Sequence, residues 1–207
     1  SGQKGQLDIQ LCQLVNLMAD GKPVKMSKRA GNFVMVRDVI DAVGADVTRF
    51  IMLTRRSEQT LDFDYARVTE QSRDNPVFYV QYAHARACSV LRQPGINGED
   101  VTGAGDAALD RLTSPAEMAV IKALASWPRL VVSAAQSHEP HRVAFYLMDL
   151  AASFHALWTA GREAPELPFI RDDDAGLTAA RLCLVKATAL VIRSGLGVLS
   201  IQAREEM

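Results

Sequence analysis

One stretch decides the fold of this 207-residue chain: Asn75-Pro76-Val77-Phe78-Tyr79-Val80-Gln81-Tyr82-Ala83-His84-Ala85-Arg86. Pro76 has a fixed φ that suits the first turn of a helix, and the side chain of Asn75 can cap that turn. We therefore expect a long helix from Pro76 to about Arg92. From this point onward the sequence pattern is helical only.

Toward the C-terminus, apolar periodicity predicts three more helices, at 115–135, 140–160 and 177–199. Toward the N-terminus, the apolar run 11–18 is followed by the turn signal Asp20-Gly21, which indicates a strand. Between that strand and Asn75, the pattern predicts a basic loop at 22–33, short helices at 36–43 and 46–55, and an extended turn at 61–64.

This order of elements predicts a mainly α fold, with a short β-containing piece followed by an antiparallel helical bundle. A single strand cannot form a sheet, because its backbone needs hydrogen-bonding partners. We therefore expect residues 1–72 to be the end of a larger α/β domain and residues 73–207 to be the bundle. The chain lacks an initiator Met, which fits a fragment of a longer protein.

Composition excludes several classes of protein. Hydrophobic residues make up 48% and charged residues 23%, as in ordinary globular proteins. No stretch of ~20 apolar residues lacks charge or punctuation, so we expect no membrane span. The net charge is -1, so any contact with nucleic acid must come from local patches. Three dispersed cysteines fit a reducing cytoplasm and no disulfide framework.

The residues best suited to chemistry are Lys25-Met26-Ser27-Lys28-Arg29. Two lysines three positions apart can close on one polyanion, and the Ser27 hydroxyl adds a donor. Such a loop suits the binding of phosphates while negative charge builds on a leaving group. Taken alone, the same pentapeptide also fits a solvated basic turn.

The surrounding residues favour the phosphate-binding interpretation, because the loop resembles the second signature motif of class I aminoacyl-tRNA synthetases. The wider match is to the arginyl-tRNA synthetase family and covers essentially the whole chain. The run 75–86 is its most specific element. The other matching segments occur in the family's order and at its spacing, and they are 13–17, 24–31, 37–40, 46–50 and Leu61–Asp64.

The resemblance implies a Rossmann-type catalytic domain, of which residues 1–72 are the trailing edge. It assigns Lys25 and Lys28 to the pyrophosphate leaving group of ATP, and Ser27 to anchoring the loop. Met26 and Arg29 would complete the ATP-binding segment, although Arg29 stands where the class-wide motif often has a second Ser. Magnesium would accompany ATP in the intact enzyme. The His-containing signature motif is missing, so we expect this chain alone to be inactive.

The helical half carries features of an RNA-binding surface. No acidic residue occurs at 75–98 or at 177–204, which creates local positive potential. Tyr79, Tyr82 and Arg86 share one stripe of the first helix. The tyrosines are candidates either for base stacking or for packing against a neighbouring helix. His84 falls on the opposite stripe, where a core histidine is expected.

The resemblance identifies this half as an α-helical anticodon-binding domain for arginine tRNA, helped by the C-terminal tail. Arg204 and Met207 are the candidate tail contacts, although the family usually has Pro where Arg204 stands. On the helix at 140–160, Trp158 lies on an apolar stripe and is expected in the core. His155 lies off that stripe and is a further candidate for RNA contact.

Two acidic patterns are better explained without a metal. Asp64 is expected to cap a helix that begins near Tyr65, and the run Asp172-Asp173-Asp174 is typical of a solvated loop. We expect the protein to bind no metal through its side chains, to be monomeric and to be located in the cytoplasm.

Two alternatives stay open at this point: a cysteinyl-tRNA synthetase fragment, and a non-catalytic helical module that binds RNA or protein.

Overall fold

The computed structural model describes residues 9–19, 21–24, 34–64, 68, 75–93, 96, 109–164 and 167–207. The pentapeptide at 25–29 lies outside these residues. So does the start of the helix predicted near Tyr65.

The N-terminal piece contains a three-stranded sheet. Strand β1 (Val15–Ala19) pairs antiparallel with β2 (Lys22–Pro23), and it pairs parallel with β3 (Leu61–Asp64) on its other side. The turn between β1 and β2 requires a positive φ of 74° at Gly21. The expectation of a single strand without partners was wrong, because the extended turn at 61–64 is the parallel neighbour of β1.

The Asp64 carboxylate helps to fix this hairpin. Its Oδ2 atom accepts a hydrogen bond from the backbone N–H of Gly21 at 2.9 Å.

Two short helices, α1 (Val36–Val43) and α2 (Ala45–Met52), meet at Gly44, which has a φ of 87°. A small apolar cluster covers the sheet and consists of Leu17, Val39, Leu61, Phe63 and Val68.

Helix α3 (Pro76–Leu91) begins as the sequence predicts. The Asn75 side chain accepts a hydrogen bond from the N–H of Phe78 at 3.5 Å and donates one to the carbonyl of Val68 at 3.0 Å. The cap therefore also ties the start of the bundle to the N-terminal piece.

Helices α4 (Pro115–Gln136), α5 (His141–Glu163) and α6 (Ala175–Val198) complete the bundle. Each lies within a few residues of its predicted bounds. Helix α4 starts with a capping box between Ser114 and Glu117. Asp174 caps α6 through the N–H of Leu177 at 3.0 Å, so one member of the acidic run has a specific structural role.

A buried ion pair joins two of these helices inside the core of the bundle. Arg181 Nε on α6 donates to Glu117 Oε1 on α4 at 2.7 Å, and their side chains are 5% and 2% exposed. Arg181 also donates to the carbonyl of Pro168 at 2.8 Å, which fixes the segment before α6. Both charges are thus paired and hydrogen-bonded, as buried charges must be.

Within the described residues, α4, α5 and α6 are each long and apolar enough to cross a membrane by length and composition. The expectation that composition alone excludes a span was therefore wrong. These helices pack on one another, and the buried share of the apolar window is 11% in α4, 44% in α5 and 50% in α6.

Candidate nucleic-acid interface

The C-terminal tail lies along α3 and is held through its backbone. Four backbone carbonyls of the tail accept hydrogen bonds from side chains. One of these donors lies on α2, two lie on α3, and one is the residue that follows α3. The pairs are Arg49 with Ser200 at 2.5 Å, Gln81 with Gln202 at 2.9 Å, His84 with Arg204 at 2.8 Å and Arg92 with Glu205 at 2.9 Å. The side chains of Gln202, Arg204, Glu205, Glu206 and Met207 remain exposed to solvent, whereas Ile201 is buried in the core.

His84 is a core histidine, as its position on the helix predicts. It is 2% exposed, and its Nδ1 atom lies 2.8 Å from the carbonyl of Arg204. A carbonyl only accepts, so Nδ1 carries the proton. The role of His84 is to hold the tail, and Gln81 does the same one turn earlier.

The stripe of α3 that carries Tyr79, Tyr82 and Arg86 faces α5. The Arg86 guanidinium carbon lies 4.2 Å from the ring centroid of Tyr82 and 5.1 Å from that of Trp158. Tyr79 is half-buried and its ring lies 4.5 Å from the ring of His155. Tyr82 is 37% exposed. The structure therefore brings these sequence candidates together in one cluster.

His155 lies beneath this cluster and not on the surface. It is 9% exposed, its Nδ1 atom is 3.0 Å from Arg86 Nη1, and its Nε2 atom is 3.2 Å from the carbonyl of Tyr79. Direct contact between His155 and an RNA is therefore disfavoured by burial. The helical pattern placed it off the apolar stripe, but could not show that a neighbouring helix covers it.

Trp158 has two roles. One part of its ring packs against Phe154 and Phe169, with centroid separations of 6.4 and 5.8 Å, which agrees with the predicted core position. The same residue also lines an open cavity of about 350 Å³ beside the tail. The cavity is formed by Tyr82, Ala85, Arg86, Ser89, Arg92, Trp158, Arg162, Glu205, Glu206 and Met207.

Three arginines contribute positive charge to this cavity, but only one of them is paired with acids among the described residues. Arg92 lies 3.8 Å from a carboxylate oxygen of Glu205 and 3.6 Å from one of Glu206. Both pairs are solvent-exposed and therefore weak. Arg86 and Arg162 form no ion pair with any other residue that the structure describes. The cavity thus combines aromatic faces with unneutralised guanidinium groups, which suits a base and its phosphate.

Sequence reasoning did not select Arg162 as a site residue. It lies four residues after Trp158, and this spacing places both side chains on one helix face. The signal available in the sequence was an arginine four residues after a tryptophan. Arg204 and Met207 are exposed, and both line a second cavity against Asn75 and Phe78.

Lys25, Met26, Ser27, Lys28 and Arg29 lie outside the described residues, so their roles stay predictions. Lys22, at the start of this basic segment, is exposed in β2. Across the described ranges, no group of three or more His, Cys, Asp or Glu residues is placed to hold a metal ion.

Comparison with known proteins gives this arrangement a context. Residues 80–207 match the family described as the DALR anticodon binding domain. The chain is 56% identical over its whole length to an arginine–tRNA ligase of Rhodospirillum rubrum and covers 36% of that protein. It is 57% identical over 97% of its length to the arginine–tRNA ligase of Ruegeria pomeroyi and covers 35% of it.

Solved structures agree with these sequence matches. The arginyl-tRNA synthetase of Thermus thermophilus superposes with a TM-score of 0.69 at 29% identity, over 92% of this chain and 34% of the other. That of Plasmodium falciparum shares the fold, with a TM-score of 0.66 at 19% identity over 84% of this chain and 29% of the other. The chain spans about a third of the length of these relatives. It belongs to the DALR anticodon-binding domain family, and the part of arginine–tRNA ligases that it matches is their C-terminal region.

Proposed function

We propose that this chain is the C-terminal part of an enzyme that joins arginine to its tRNA through an arginyl-adenylate made from ATP. In that enzyme, residues 73–207 bind the anticodon loop of arginine tRNA. One observation carries the proposal: the cavity between α3, α5 and the tail places two aromatic rings beside three arginines, inside the region that matches the anticodon-binding family.

The chemistry of the cavity fits a single-stranded RNA loop. An unstacked base gains ~1–3 kcal/mol by stacking on an aromatic side chain. Exposed Tyr82 is positioned for such contact, whereas Tyr79 contributes from a half-buried position. Arg86, with Arg92 and Arg162 nearby, supplies charge for phosphates. Met207 of the tail lines the same cavity, and Arg204 lines the second cavity, to which Met207 also contributes.

The catalytic part of the proposal rests on the sequence of the basic loop. Lys25 and Lys28 stabilise the pyrophosphate leaving group, Ser27 anchors the loop, and Met26 and Arg29 complete the ATP-binding segment. Magnesium arrives with ATP. Residues 1–72 then form the end of the catalytic domain, and the remainder of that domain is supplied by the N-terminal part of the full-length enzyme.

The setting that we propose is a monomeric enzyme of the cytoplasm. The three cysteines, Cys12, Cys88 and Cys183, are free thiols, as a reducing compartment requires. Nothing in the comparisons supports the cysteinyl alternative, since the curated relatives that match the chain are named as arginine–tRNA ligases.

A binding measurement tests the anticodon-reading role. Fluorescence anisotropy would follow the full chain with labelled arginine tRNA at 50 and 200 mM salt, with cysteine tRNA and an anticodon-swapped arginine tRNA as competitors. We expect affinity to fall with salt and to favour the arginine anticodon. If all three RNAs bound with equal affinity, the surface would be non-selective and electrostatic only, which would contradict the proposal.

The non-catalytic alternative is tested in the full-length protein. The alternative predicts that Lys28→Ala leaves the rate of arginine activation unchanged, whereas our proposal predicts a large fall in that rate. Lys22→Ala is the matched control, because Lys22 is an exposed lysine of the same basic segment that we do not assign to ATP. ATP–pyrophosphate exchange measures activation separately from tRNA binding.

A further inference from the structure

The Arg86 side chain is contacted on three sides. Its guanidinium lies over the Tyr82 ring at 4.2 Å and near the Trp158 ring at 5.1 Å. A third contact comes from below, where Nη1 lies 3.0 Å from Nδ1 of His155. The guanidinium is therefore held in one orientation at the edge of the cavity.

Two contacts of the His155 ring indicate which of its nitrogens donates and which accepts. The Tyr79 carbonyl can only accept, so Nε2 of His155 donates to it across 3.2 Å. A guanidinium can only donate, so Nδ1 must offer its lone pair to Arg86. These two contacts fit the tautomer that carries its proton on Nε2, and the acceptor atom Nδ1 points at Arg86.

We propose that His155 is a positioning residue that orients Arg86 to receive a phosphate of the bound RNA loop. The inference rests on the proposed function of the cavity. Arginine is a long side chain with many rotamers, so an unbraced Arg86 would lose more freedom on binding. His155, Tyr82 and Trp158 order the group before the ligand arrives.

The charge of Arg86 is also kept available. Among the described residues no carboxylate forms an ion pair with it, whereas the nearby Arg92 pairs with Glu205 and Glu206. A neutral histidine acceptor fixes the orientation of a guanidinium without cancelling its charge. A carboxylate at the same place would fix the orientation and neutralise the group.

The proposal is tested with two matched substitutions of His155. His155→Asn places a carbonyl oxygen near the Nδ1 position and retains an acceptor for Arg86. His155→Gln places its amide near the Nε2 position and retains the donor to Tyr79 only. We expect His155→Asn to bind arginine tRNA within about threefold of the parent chain, and His155→Gln to bind about tenfold more weakly.

A double-mutant cycle shows whether His155 acts through Arg86. Arg86→Gln should weaken binding about tenfold, and adding His155→Gln to it should change affinity by no more than about twofold. Independent, multiplying losses would overturn the proposal, as would equal affinities of the Asn and Gln variants. Circular dichroism and urea unfolding of every variant verify that the bundle stays folded.

Failure of this inference is distinguishable from failure of the proposed function. If the parent chain does not prefer arginine tRNA over cysteine tRNA, the anticodon-binding function fails, and with it the role of His155. If the parent chain shows the preference and Arg86→Gln weakens it while His155→Gln does not, only the positioning role fails.

Discussion

At the scale of single residues, the ion pair between Glu117 and Arg181 joins α4, α6 and the segment that precedes α6. We expect Arg181→Met to lower the free energy of unfolding by about 3–5 kcal/mol, because it leaves a carboxylate buried without its partner. Adding Glu117→Gln should recover part of the loss, since the unpaired charge is then removed. Urea unfolding measures both, and a loss below about 1 kcal/mol for Arg181→Met would contradict the assignment.

Asp174 gives a prediction about pH. Hydrogen bonding by Arg111 and then by the N–H of Leu177 lowers the pKa of the Asp174 carboxyl from 3.8 to about 2. A carboxyl with a lowered pKa in the folded state stabilises the fold above its ordinary pKa, and this contribution is lost as pH falls from about 4 to about 2. We expect Asp174→Asn to reduce stability at neutral pH and to flatten its decline over that interval.

Thermal unfolding between pH 2 and 7 measures this dependence. Asp172→Asn, on the same acidic loop, is the control and should leave the profile unchanged. A parent-like profile for Asp174→Asn would show that the helix cap does not require the charge.

At the scale of elements, docking of the tail on α3 has a chemical reporter in Cys88. Burial raises the pKa of the Cys88 thiol, and the Glu205 carboxylate raises it further. Removal of residues 202–207 takes away Glu205 and uncovers the neighbouring surface. We therefore expect more thiolate and several-fold faster alkylation of Cys88 at pH 7.5.

Peptide mass spectrometry gives the alkylation rate of each cysteine in the same sample. Exposed Cys12, in the segment before β1, is the internal control and should react at an unchanged rate. An unchanged rate at Cys88 would indicate that the tail does not cover this part of α3 in solution. The same shortened chain should bind arginine tRNA more weakly, because the cavity loses Met207.

At the scale of the whole molecule, the two apolar clusters do not follow the predicted division at residue 72. Phe50, on α2 of the N-terminal piece, is fully buried in the core of the bundle, whereas Phe63, on β3, is fully buried in the smaller cluster. Arg49 of α2 also donates to the carbonyl of Ser200. Helix α2 therefore joins the two clusters, because its Val47, Ile51 and Met52 also pack against the smaller one.

This arrangement predicts different consequences for two substitutions of equal size and equal burial. Phe50→Ala should cost about 3–5 kcal/mol and reduce hydrogen-exchange protection in α3 and α6. Phe63→Ala should reduce protection mainly in β1 and leave α6 near its parent level. Equal loss of protection in α6 from both variants would show that the two clusters unfold as one unit.

Many structural features of this protein can be predicted from its sequence, because they depend on interactions between residues that are neighbours in the chain. The Asn75 cap, the Pro76 start of α3 and the apolar periods of α4, α5 and α6 each depend on neighbours within about one helical turn. The shared stripe of Tyr79, Tyr82 and Arg86 and the core position of His84 follow from the same geometry. The pattern of the basic loop and the run 75–86 also indicate the family from the sequence alone.

The features that join distant parts of the chain depend on tertiary packing and could not be predicted from local patterns. Periodicity could not show that β3 is the partner of β1, since strand pairing depends on backbone groups 46 residues apart in sequence, as at Asn16 and Asp62. It could not show that His155 is buried beneath Arg86, or that Arg162 and the tail complete the cavity. A helix pattern specifies which residues share a face. Only the packing of one helix against another decides what that face meets.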